Sequence, residues 1–294
     1  MKVESGGKID VKGCGYSAHS GPGYVKNGEP SAAHGGRFAA GAQTYGSLSA
    51  PTNCGSGANA SGGGVVKIRT LGDLMVKGEV NADGGDTSVY GSGAGGSVWL
   101  IGKRLSGDGI ITANGGSAGQ GDGGAGGRIA VWLTEATDFT DWAGRLLARG
   151  GGKYGQINWG PGSAGTIYLQ TAKENAKSAT TIVDNDGEPM NKNGYGYVEL
   201  KKETGSAVLG TLLVRNCGSV KLLTDVRAAD VDLASANVKL NVGTNILTVC
   251  TYVHKDGKGW ADTLDNLVTK ETDPATGKTG DIVWKPQGIA IIVR

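Results

Sequence analysis

The stretch GAGGSVWLIGKRLSGDGIITANGG, residues 93–116, sets two short apolar runs between clusters of glycine. The runs alternate with period two, which is the pattern of half-buried strands. The stretch is not alone. GGGVVKIRTLGDLMVKGEVNADGG (62–85), GAGGRIAVWLTEATDFTDWAGRLLARGG (124–151) and GSAGTIYLQTAKENAKSATTIVDNDG (162–187) open the same way, with small residues and then a β-branched or aromatic strand. Val66, Val98, Ile129 and Ile167 fall at equivalent points, at intervals of 32, 31 and 38 residues. A period of that size with loops of variable length predicts stacked supersecondary units. Glycine tolerates the sharp turns and close backbone approach that stacking imposes. The expected fold class is therefore all-β, a single right-handed parallel β-helix (solenoid) with glycine-rich corners.

Composition narrows the classes of function. Of 294 residues, 55 are glycine, and 43 of these lie in residues 1–165. Neither collagen nor unstructured low complexity fits, because the glycines do not recur every third residue and alternate with apolar strands. The net charge is +2 with no basic block, so no electrostatic footprint for nucleic acid is present. No apolar run has the length a membrane helix needs, and residues 1–13 lack the apolar core of a secretory signal.

Residues 1–190 read as larger glycine-rich coils. Residues 191–254 read as tighter coils, with intervals of 19 residues (Leu212 to Val231) and 18 residues (Val220 to Val238). Residues 255–294 read as a polar excursion, in which ADTLDNLV suggests one short helix, and a C-terminal cap. Together these make one domain, 1–294. No C-x-x-C pair occurs among Cys14, Cys54, Cys217 and Cys250, which excludes a zinc ribbon. One bond within each sequence-local pair is the preferred pairing of three; four free thiols is the alternative.

Alternation places side chains. With Val66, Val98, Ile129 and Ile167 inward, two adjoining columns face outward. One holds Lys67, Trp99, Ala130 and Tyr168; the other holds Arg69, Ile101, Trp132 and Gln170. Trp99, Trp132 and Tyr168 would form a diagonal aromatic stripe against which the C–H faces of sugar rings pack. Lys67, Arg69 and Gln170 would supply donors and acceptors. The competing reading is a secondary core under a covering loop. Trp142, Tyr154 and Trp159, then Tyr195 with Tyr197, and Trp260 offer further rings for a sugar clamp or for loop packing. His19, His34 and His254 have no evident third partner for catalysis or metal. Asp83, Asp86, Asp108 and Asp122 sit in glycine turns, as turn formers or as groove carboxylates. DNDGEP at 184–189 begins like a calcium loop through Asp184 and Asp186, but Tyr195 stands where the closing glutamate belongs.

The GGG-strand, ANGG and GAGGS-strand pattern resembles glycine-rich repeats of large secreted bacterial proteins, and YGSLSAPTNCGSGA (45–58) resembles a linker that recurs before such strands. The chain also resembles a family of β-helical carbohydrate-binding modules attached to xylanases of gut bacteria. That resemblance implies a secreted, non-catalytic module, fused to a glycoside hydrolase, that binds xylan or a related plant β-glycan and needs no cofactor. The expected function is thus polysaccharide binding through the aromatic platform. A polysaccharide lyase or hydrolase, and a structural adhesin or passenger stalk, are the alternatives.

Overall fold

The computed structural model describes all residues except 27–30, 153–159, 190–195, 202–207, 234, 236, 251–252, 255–266 and 286–294. Tyr154, Trp159, Tyr195, Trp260 and most of the expected short helix lie outside the described residues. The described chain is all-β, with no helix among its 23 strands.

The first four repeats stack in the register their spacing predicts. Val65–Arg69, Ser97–Gly102, Arg128–Leu133 and Thr166–Gln170 pair in parallel, with Val66, Val98, Ile129 and Ile167 side by side. Two further parallel flanks lie against this stack. One joins Lys2–Val3, Leu74–Val76 and Leu105–Ser106; the other joins Lys8–Asp10, Glu79–Asn81, Ile110–Thr112 and Arg145–Leu147. Inward residues from all three flanks, among them Leu74, Leu100, Leu105, Ile111 and Val131, form one dry core. Fully burying each such side chain contributes about 1.5–3 kcal/mol.

The expectation of a single parallel β-helix is corrected at the next strand. Thr180–Asp184 runs antiparallel to Thr166–Gln170, after a polar turn in which the Glu174 carboxylate accepts the Thr171 N–H at 2.8 Å. A second antiparallel pair, Tyr24–Val25 with Ser31–Ala32, lies in the long first loop. Parallel crossovers keep one hand. Once strand direction reverses, that hand carries later connections to the opposite face of the sheet. The register shows this. Ile167, Ile182 and Leu213 lie side by side and pack on the first core, whereas Tyr168 lines up with Thr181, Leu212 and Val231, and the latter two belong to a second core. One ten-stranded sheet therefore carries a core on each face, one for each half of the chain.

The second half uses shorter coils. Its long-sheet strands alternate with Val198–Leu200, Ser219–Leu222, Lys239–Gly243 and Val268–Lys270. The 19-residue interval holds, since Leu212 pairs with Val231. The 18-residue interval does not, since Val220 pairs with Leu240 rather than Val238. Asp281–Trp284 adds one more parallel strand beside Ile246–Val249.

The glycine segments are not simple corners. They are extended pieces bonded to one another in a zigzag across coils. The Gly93 N–H donates to Gly85 O (3.1 Å), Gly116 to Gly93 (2.9 Å), Gly124 to Gly116 (2.9 Å), Gly151 to Gly124 (2.8 Å) and Gly162 to Gly151 (3.1 Å). The backbones approach so closely that a Cβ on Gly124 would overlap the Gly93 carbonyl. Glycine density here is thus a packing requirement. The bundle also satisfies backbone groups that no sheet pairs.

Candidate glycan-binding face

Register alone builds the candidate site. Lys67, Trp99, Ala130 and Tyr168 form one outward row, and Arg69, Ile101, Trp132 and Gln170 the next. Strand spacing of about 4.8 Å sets the distance between neighbours in a row. Ala130 leaves room between Trp99 and Tyr168, and Trp132 leans across it. The two tryptophans meet edge to face with centroids 5.3 Å apart, an arrangement aromatic quadrupoles favour. Lys67 Nζ lies 4.2 Å from the Trp99 ring centroid, in cation–π range. Both tryptophans are half-buried, and Lys67 and Arg69 are exposed. Neither cation has an ion-pair partner among the described residues.

Tyr168 departs from the expectation. It is only 4 % exposed, packs with Ala130 and Ala179, and donates its hydroxyl to Gln170 Oε1 at 2.7 Å. Burial pushes its phenol up to about 12. The ring is therefore part of the floor, and Gln170 has one amide oxygen already engaged. The platform reduces to two rings flanked by two cations.

The residues that sequence reasoning did not place are those of the covering loop, 45–54. It crosses the outward face by three carbonyl contacts. Arg128 Nε donates to Tyr45 O (2.9 Å), Trp132 Nε1 to Ser49 O (2.8 Å) and Ser97 Oγ to Asn53 O (2.6 Å). The Tyr45 hydroxyl closes the loop on Cys54 O at 2.7 Å. These contacts fix the Trp132 indole and cover Ser97, Arg128 and Thr166, the register row that precedes Lys67, Trp99, Ala130 and Tyr168. The residues that resembled a linker are thus a rim of the site. Backbone acceptors leave no mark in a sequence.

Beneath the loop lies His34, fully buried and stacked on Tyr45 with centroids 4.7 Å apart. Its Nδ1 sits 2.7 Å from Gly95 O, which only accepts, so Nδ1 carries the proton. Nε2 is buried without a partner. Burial, with the Arg128 charge, lowers this imidazole to about 3, so it is neutral. The other end of the loop is tied to the second half. Arg37 Nη1 donates to Glu199 Oε1 at 2.7 Å, and Glu199 Oε2 accepts from Thr44 N–H and hydroxyl at 3.0 and 3.1 Å.

The remaining candidates fall elsewhere. Trp142 packs on the first core, which makes it a loop anchor, and Tyr197 stacks with Arg37 at 4.8 Å. Asp184 accepts from Arg215 Nε at 2.8 Å, and Asp186 accepts from Arg145 Nη2 at 2.8 and 3.0 Å. This is a correction to the calcium-loop expectation, because arginines take the oxygens that would face an ion. Among the described residues no cluster of three acidic, histidine or cysteine side chains could hold a metal. All four cysteines are free thiols, which corrects the expected pairing. Cys250 Sγ lies against Arg227 Nε at 3.1 Å, and Cys217 Sγ faces Gly187 O.

Asp83 caps the neighbouring coil by accepting the Asn114 N–H at 2.6 Å, and Asp86 pairs with Lys12. Asp108 and Glu79 line a shallow groove of about 420 Å³ on another flank, with Lys8, Lys77 and Arg145. Glu79 is bridged to Lys8 at 3.2 Å. No protein-family model, curated protein or solved structure matches this chain.

Proposed function

We propose that the protein is a non-catalytic polysaccharide-binding module that takes a plant β-glycan of the xylan class on the Trp99–Trp132 face. The observation that carries this reading is the Lys67–Trp99–Trp132 array on adjacent parallel strands. Half-buried rings give a sugar an apolar platform, and the sheet holds them so that little ordering accompanies binding. Lys67 and Arg69, which have no ion-pair partner among the described residues, favour a glycan that carries uronate groups. The Asp83, Asp86, Asp184 and Asp186 carboxylates are engaged in turn caps and ion pairs, which supports binding without cleavage.

Native gels cast with glucuronoxylan, with neutral xylan and with mixed-linkage β-glucan test the reading, with the same mixtures assayed for new reducing or unsaturated ends. The expected result is retardation strongest with glucuronoxylan, weakened by salt, and no new ends. Free migration in every gel would reject the reading. New ends would favour a hydrolase or lyase, for which Glu79 and Asp108 in the flank groove are the first residues to change.

A further inference from the structure

We propose that the free edge of Val65–Arg69 is a docking slot for one extended peptide strand in which apolar and acidic residues alternate. The proposal stands apart from the glycan-binding reading, although both draw on Lys67 and Arg69. The slot follows from the sheet order. Leu74–Val76 and Glu79–Asn81 are each covered by one more strand, Lys2–Val3 and Lys8–Asp10. Val65–Arg69, which leads into them, lies at the end of the ten-stranded sheet and pairs only with Ser97–Gly102 among the described residues. The backbone before and after it is paired. The Gly64 N–H donates to Val11 O at 2.9 Å, and the Met1 amine donates to Asp73 O at 2.8 Å. The gap is therefore one strand wide and closed at both ends. Side-chain exposure marks the same place. Leu100 and Val131 are fully buried, but Ile68 in the same row is partly exposed. Leu71, just past the strand, is 88 % exposed. An unpaired edge beside open apolar groups is a template for strand addition.

Register specifies the occupant. A strand added in the parallel sense of its neighbours sets its side chains in line with those of Val65–Arg69. Positions opposite Val66 and Ile68 continue the first core and must be apolar. Positions opposite Lys67 and Arg69 face outward, beside two exposed cations with no ion-pair partner among the described residues. Carboxylates fit there, since opposite charges side by side on neighbouring strands stabilise the pairing. The other charges near the gap are already engaged: Asp73 with Arg104 at 3.2 Å, and Lys2 with Glu4. The two flanks extend one strand, about 4.8 Å, past the edge. The flat edge of a second folded copy would meet them first, so a single extended segment is the occupant that fits.

The test uses the whole chain and a short fluorescein-labelled peptide that alternates valine with glutamate. Three control peptides accompany it: one of the same composition with its glutamates grouped, one with lysine in place of glutamate, and one N-methylated along its backbone. Fluorescence anisotropy should show saturable binding of the alternating glutamate peptide, with each control roughly tenfold weaker or more. Lys67→Glu with Arg69→Glu should reverse the preference toward the lysine peptide, whose binding also reports that the slot is intact. Equal binding of the grouped or N-methylated peptide would reduce the effect to charge attraction and overturn the proposal. So would a glutamate peptide that does not bind, including the case in which sedimentation shows that a second copy of the chain closes the edge.

Discussion

Single residues divide sharply here by what surrounds them. Gly124 sits where a Cβ has no space, whereas Gly187 has nothing within 4 Å and only a positive φ of 82° to hold. Gly124→Ala should destabilise by more than about 3 kcal/mol, and Gly187→Ala by only about 1 kcal/mol. Urea midpoints of the two variants check this, and equal losses would show that the bundle tolerates side chains. His34 gives a pH signature. Its folded-state value, about 3, lies below its ordinary 6.5, so the unfolded chain binds the extra proton first. The contribution is complete above pH 6.5 and is lost as pH falls toward 3. Stability should drop by about 2 kcal/mol between pH 7 and pH 5. Equal urea midpoints at those two pH values would contradict a buried neutral His34.

At the scale of elements, the four-strand register was legible in the sequence, because alternation with flanking glycine repeats at equivalent points. Val66, Val98, Ile129 and Ile167 announce it, and so both outward rows follow. The reversal before Ile182 was not legible. AKENAKS reads as any polar turn, and both Leu212 and Leu213 are apolar, so nothing marks which face is the core. The covering loop was illegible for another reason: it is held by carbonyls, and its anchor is spread between Arg37 and Glu199. That ion pair is buried, with side-chain exposures of 11 and 3 %. Removing one partner strands the other charge, so Glu199→Ala should cost about 3–5 kcal/mol. Chemical denaturation measures this, and a loss under about 1 kcal/mol would mean the loop does not depend on the pair.

Among the described residues one ten-stranded sheet runs through both halves with a core on either face, smaller flanking sheets enclose each core, and a glycine bundle lies along the first half. The outward face of the first half is therefore the same sheet face that, further along, packs the second core. There the tryptophan pair contacts the covering loop through Trp132 and the Lys67 ammonium through Trp99. Rigidity of this kind serves recognition, since the rings are already placed before a ligand arrives. The measurement that bears most directly on the account is a calorimetric titration of glucuronoxylan oligosaccharides into the wild-type protein and into a Trp99→Ala/Trp132→Ala variant. The account predicts saturable binding by wild type and a loss of roughly tenfold or more in the variant, with the fold intact by circular dichroism. Equal affinity of the two folded proteins would contradict it.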